Sequence, residues 1–148
     1  MGRQQFLEFM AAVKRWRLSV NDHLNLLGGM ARSTYFNLQK DTTWDSTDPN
    51  IPRDTYERMA TFVLITENLE EVLKAKAGAP LLYDFVRQPT PLFDGVSPLT
   101  YLLSPVSLHT TLYEALRVTR AWAGRAKTVQ QSAVKTALPP LSTVNLAP

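Results

Sequence analysis

No cysteine occurs in the chain. That absence excludes disulfides, thiolate metal sites and cysteine nucleophiles together, and it suits a reducing compartment. Histidine is almost as scarce. Only His23 and His109 offer neutral-pH bases, they fall in separate segments, and each reads as a polar structural residue rather than a catalyst. Long apolar runs are missing as well: Thr61–Thr66 and Ala77–Tyr83 are far too short to span a bilayer. The opening MGRQQFLEF lacks the apolar stretch and small-residue cleavage site of a secretion signal. The expected setting is therefore cytoplasmic, with no membrane partner.

Other chemistries are excluded by missing companions. Gly28-Gly29 has no lysine at the offset that a phosphate-cradling loop needs. Asp41, Asp45 and Asp48 share a loop, but without the turn glycine and terminal bidentate glutamate of a calcium site. Glu67, Glu70 and Glu71 fit the wet face of a helix. No catalytic residue, metal ligand or cofactor is expected, and the chain reads as a binding protein rather than an enzyme.

What is present is a chain of 148 residues, 45% apolar, enough for one compact domain or two small helical subdomains sharing a core. Its net charge is only +3, but the distribution is uneven. Residues 1–40 carry six basic and two acidic side chains, residues 41–100 five basic and ten acidic, and residues 101–148 five basic and one acidic. Basic end segments suit phosphate contacts and an acidic middle does not, although solvated surface explains both equally.

Helical periodicity runs through the chain. Phe6, Phe9, Met10, Val13 and Trp16 predict an amphipathic helix over 4–17. Ser19 then stands as an N-cap before a second helix over 20–27, ended by Gly28-Gly29. A third helix, 32–40, is expected to bury Ala31, Tyr35 and Leu38. Residues 41–52, rich in Asp, Thr, Ser and Pro, read as a loop dividing two functional parts. A long helix follows from Pro52 to about Lys76, apolar over so wide an arc that it is expected to be central. Leu81–Val86 fits a helical turn better than a strand. Ser97-Pro98 is a cap-and-start pair for a short helix through Leu103. Ser107 is placed to cap a last helix, 108–125, with Leu108, Leu112, Ala115, Leu116, Thr119 and Trp122 inward. Residues 128–148 are expected to form an extended or disordered proline-rich tail. The fold class is all-α.

Two segments stand out. The first, 20–40, fits a helix-turn-helix: with the turn at Gly29, Leu24, Met30, Tyr35 and Leu38 face inward, and Arg32, Ser33, Asn37 and Lys40 face out. Arginine can read guanine and asparagine adenine in a bidentate way, while serine and lysine suit phosphates. Lys14, Arg15 and Arg17 are further phosphate candidates. An ordinary helical hairpin fits the same residues. The second, LLYDFVRQPTPLFDGVSPLTYLL (81–103), packs aromatic, proline, glycine and a Ser-Pro helix start into one stretch. It fits a rigid presenting loop, or a plain connection between core helices.

The second segment, preceded by IPRDTYERMATFVLITENLEEVL and followed by a helix ending RAWAGR, resembles the MbcA/ParS/Xre antitoxin family in order and spacing over residues 51–125. LLGGMARSTYFNLQK resembles that family's N-terminal helix-turn-helix. Phe85 stands where tryptophan is usual, Thr90 replaces an asparagine, and Asp94 replaces the first of two glycines. The resemblance implies a homodimeric antitoxin that covers the active site of a RES-domain, NAD-consuming toxin and binds operator DNA of its own operon. It implies 1–50 as the DNA-binding part and 51–127 as the toxin-binding and dimerisation part. Carried over by motif, the toxin-binding positions are Phe85, Pro89, Gly95, Ser97, Pro98 and Leu99, with the tail reaching into the toxin cleft.

Overall fold

The computed structural model describes residues 2–41, 51–75, 77–103 and 112–125. Among them the fold is all-α, without a strand: α1 (Arg3–Trp16), α2 (Val20–Leu26), α3 (Arg32–Lys40), α4 (Arg53–Ala75), the short α5 (Leu82–Phe85), a 3-10 turn (Pro91–Phe93), α6 (Pro98–Leu102) and the helical residues 112–125, α7. None of these helices is long and apolar enough to cross a membrane.

The stripe predicted for α1 is the one that buries. Phe6, Phe9, Ala12, Val13 and Trp16 are inaccessible, and they pack chiefly on α4. Phe62 of α4 takes an edge contact from Phe9 (5.6 Å between ring centres) and a closer tilted one from Trp16 (4.8 Å). The indole N–H of Trp16 donates to Thr66 Oγ1 (2.9 Å), whose own hydroxyl donates to the Phe62 carbonyl (2.9 Å). Burying an indole requires a partner for its N–H, and the threonine one turn beyond Phe62 supplies it.

α1 ends at Arg17, which takes a left-handed backbone (φ 55°). The Leu18 N–H closes back onto the Val13 carbonyl (3.2 Å), so the last turn keeps a partner despite the strain. Arg17 is then fastened from the far end of the chain. Its guanidinium lies 3.8 Å over the Tyr83 ring, and Arg87 donates to its carbonyl (2.9 Å). Ser19 caps α2 as expected, accepting from the Asp22 N–H (3.3 Å). Gly28 and Gly29 both sit at φ 85°, a conformation side chains other than glycine rarely adopt, and the chain turns there into α3.

α4 is the central helix, touching α1, α2 and α5. α7 joins it through Asn68, whose amide donates to the buried Thr119 hydroxyl (3.3 Å). One hydrophobic cluster runs from Phe6 through Tyr56, Ile65, Val86 and Leu102 to Ala115. The boundary expected near residue 50 therefore does not divide the core.

One inward assignment is corrected. Ala31 is exposed, because it precedes α3 as an extended N-cap and its methyl falls outside the Tyr35–Leu38 stripe. Leu64 of α4 is 41% exposed, so the helix's apolar arc is wider than its neighbours cover among the described residues. The loop residues 42–50, with Asp45 and Asp48, the expected cap Ser107, Leu108, His109 and the tail 128–148 lie outside the described residues.

Candidate functional site

The outward face of α3 carries the first candidate surface. Arg32, Ser33, Asn37 and Lys40 are all exposed, while Tyr35 and Leu38 turn into the core. Leu24 and Met30 are half-buried against that core, so the α2–turn–α3 hairpin has the inward and outward sides that its sequence implies. Arg32 is held in place by α2: its Nη2 donates to Asn21 Oδ1 at 2.5 Å. That residue is not apparent from spacing alone, because the contact crosses the turn.

Phe36 also went unassigned in the sequence. It is half-buried, its ring centre 6.0 Å from that of the core residue Tyr35. Four residues after Arg32 and four before Lys40, it belongs to the outward row by helix period. Periodicity carries that signal, but the apolar character of the residue hides it.

The three phosphate candidates on α1 separate. Lys14 lines an open groove with Arg3, Phe6, Leu7, Met10, Ala11 and the α3 residues Leu38 and Gln39. Arg15 instead pairs with Glu70 of α4 (3.2 Å), and Arg17 is engaged by Tyr83 and Arg87. The structure thus brings Lys14 beside α3 and directs Arg15 and Arg17 towards the C-terminal part of the chain.

Gly28 holds a further contact between the hairpin and α4. A Cβ there would come within 3.1 Å of Arg58 Nε, so the bare backbone makes room for a guanidinium. Arg58 is only 12% exposed, its Nε pairs with Asp54 (2.8 Å), and its Nη1 is buried without a hydrogen-bond partner. The space that a side chain at Gly28 would fill is here occupied from outside the hairpin, by Arg58.

The second candidate surface is the turn between α5 and α6. Thr90 organises it: its N–H donates to the Val96 carbonyl (3.2 Å), its carbonyl accepts from Phe93 and Gly95, and its Oγ1 accepts from the Leu92 N–H (3.3 Å). Asp94 (φ 56°) and Gly95 (φ 84°) make the left-handed reversal. Aspartate tolerates that region better than most residues. The Leu99 N–H donates to the Val86 carbonyl (2.9 Å), tying α6 to α5.

The six expected toxin-binding residues divide within this frame. Pro89 and Gly95 are exposed, next to Val96, which is 38% exposed. Phe85 and Leu99 are half-buried, Phe85 stacking on Trp122 of α7 (5.6 Å, 18° between planes). Ser97 and Pro98 are buried, and Ser97 Oγ caps α6 by accepting from the Thr100 N–H (3.1 Å). Val96 is the accessible apolar residue the motif-based reading missed.

His23 is structural. Its Nε2 faces the Leu18 carbonyl (3.1 Å), which can only accept, so Nε2 carries the proton and Nδ1 receives the Tyr35 hydroxyl (2.8 Å). Burial pushes the Tyr35 phenol up to about 12, keeping it a donor. Burial also lowers His23 below its ordinary 6.5, outweighing the Leu18 hydrogen bond and Asp22. The unfolded chain then binds a proton that the folded chain refuses, so this contribution to stability is complete above 6.5 and is lost as pH falls through the folded value. The urea midpoint is expected to fall between pH 8 and pH 5.5, with a smaller fall in His23→Gln. Equal slopes in both proteins would contradict the assignment. Among the described residues no group of three His, Asp or Glu side chains is placed to hold a metal ion.

These features define an all-helical protein with two exposed surfaces built on one core, an arginine-bearing hairpin and a braced proline-glycine turn. The chain is 34% identical over 95 residues to the uncharacterized protein y4oB of Sinorhizobium fredii, an alignment covering 64% of this chain and 67% of that protein, and it belongs to the same family. No family model and no solved structure matches the chain.

Proposed function

We propose that the chain is an antitoxin of the MbcA/ParS/Xre type, a stoichiometric binder that sterically blocks a RES-domain, NAD-consuming toxin and represses its own operon as a homodimer. The observation that carries the toxin half is the turn 89–97. Its backbone is hydrogen-bonded to itself through Thr90, yet Pro89, Gly95 and Val96 remain exposed at its tip. A loop ordered before binding loses little entropy on meeting a partner. The burial of His23 in hydrogen bonds supports binding over catalysis.

Co-expression with the product of the adjacent reading frame tests the proposal. The expected result is relief of toxicity and a co-purifying complex, with Val96→Asp weakening the complex by at least tenfold while the fold persists. A harmless neighbour that forms no complex overturns the toxin assignment.

The exposed face of α3 favours operator binding as the second activity. A promoter-fragment shift at two salt concentrations is expected to give a slope of roughly 0.9 per phosphate contact. Arg32→Ala is expected to weaken the shift. Shift without any complex would leave a transcriptional regulator with no toxin, and complex without shift a protein-only adaptor.

A further inference from the structure

We infer that Phe36 reads thymine in duplex DNA through the C5-methyl group, flanked by Arg32 and Asn37 as readers of hydrogen-bonding base edges. The inference rests on the proposed DNA-binding role of α3 and adds a base preference to it. In the major groove thymine alone presents a methyl group, and an apolar side chain recognises it by contact.

Three observations place Phe36 for that task. First, residues four apart on a helix are neighbours on its surface, so Arg32, Phe36 and Lys40 form one row, with Ser33 and Asn37 forming the next. Every residue of those two rows other than Phe36 is exposed. Second, the residues that anchor α3 to the protein are Tyr35 and Leu38, both buried in the core cluster, whereas Phe36 is only half-buried beside Tyr35. The ring is half-buried, its centre 6.0 Å from that of Tyr35, which limits the freedom it would lose on contact. Third, Asn21 holds the Arg32 guanidinium across the turn at 2.5 Å. The polar neighbour on one side of the ring is therefore oriented before DNA arrives. An aromatic between a fixed arginine and an exposed asparagine has the makings of a mixed readout: guanine by Arg32, thymine by Phe36, adenine by Asn37.

The test uses the full chain and a randomised duplex library. The enriched site is resynthesised with each thymine replaced in turn by uracil, which removes the methyl group and nothing else. At one position uracil is expected to weaken wild-type binding about fourfold, the equivalent of one buried methylene-sized group. Phe36→Ala, checked for unchanged helicity, is expected to bind the thymine and uracil sites equally, and Phe36→Leu to keep part of the preference. If uracil at every position leaves wild-type affinity unchanged while salt-dependent binding persists, Phe36 is no thymine reader, although α3 still binds DNA. If no duplex is enriched at all, the DNA-binding role itself fails and this inference falls with it.

Discussion

Trp16→Ala is expected to lower the free energy of unfolding by about 3–5 kcal/mol. Single domains commonly have only about 5–15 kcal/mol in total, so the variant should lose a large share of its stability. The indole is inaccessible, packs on Phe62, and gives its N–H to Thr66. Removing it leaves a cavity at the α1–α4 interface, which is the main contact between the two parts of the chain. Thr66→Val is the milder companion, expected to cost about 1–3 kcal/mol by leaving the indole N–H buried without an acceptor. In a Trp16→Phe background the same threonine substitution should cost less, because no orphan donor remains. Chemical denaturation of the four proteins gives the coupling. A fully additive cycle would show that the hydrogen bond contributes nothing.

Gly28→Ala and Gly29→Ala form the second informative pair. Both residues have φ 85°, so both substitutions carry backbone strain of about 1–2 kcal/mol. They differ in surroundings. A Cβ on Gly29 meets nothing within 4 Å, whereas one on Gly28 presses on Arg58 at 3.1 Å. Arg58 cannot simply swing away without leaving Asp54 and its buried position. Gly28→Ala is therefore expected to cost about 2–3 kcal/mol, more than Gly29→Ala, and the excess should vanish in an Arg58→Ala background. Urea midpoints for the two variants in both backgrounds decide it. Equal costs in the wild-type background would mean that the guanidinium does not use the space.

Local signals in the sequence proved readable. The α1 stripe, the Ser19 and Ser97 caps and the Gly28-Gly29 turn each depend on residues within a few positions, so spacing reveals them. Ala31 was misplaced for a related reason: apolar character predicts burial only where a neighbour is available to cover it, and the neighbour is distant in sequence. The contacts that join the separate parts of the chain are of that distant kind. Thr66 lies 50 residues from Trp16, Arg87 70 residues from Arg17, and Arg32 reaches Asn21 only because the glycine turn folds α3 back on α2. No periodic pattern encodes such pairs. Phe36 is the instructive case, since its helical position was legible and its residue type argued the other way.

The α1–α4 pairing also constrains when this protein can fold. Phe9, Val13 and Trp16 emerge from the ribosome well before Phe62 and Thr66, which receive them and lie some fifty residues later in the chain. Until then α1 lacks the α4 face on which it chiefly packs, and helices of its length are marginal in water by themselves. A nascent chain stalled after residue 41 would carry the hairpin without the wall it packs against. A fragment consisting of the hairpin alone lacks the α4 face it packs against, and is accordingly a poor reagent for studying nucleic-acid recognition.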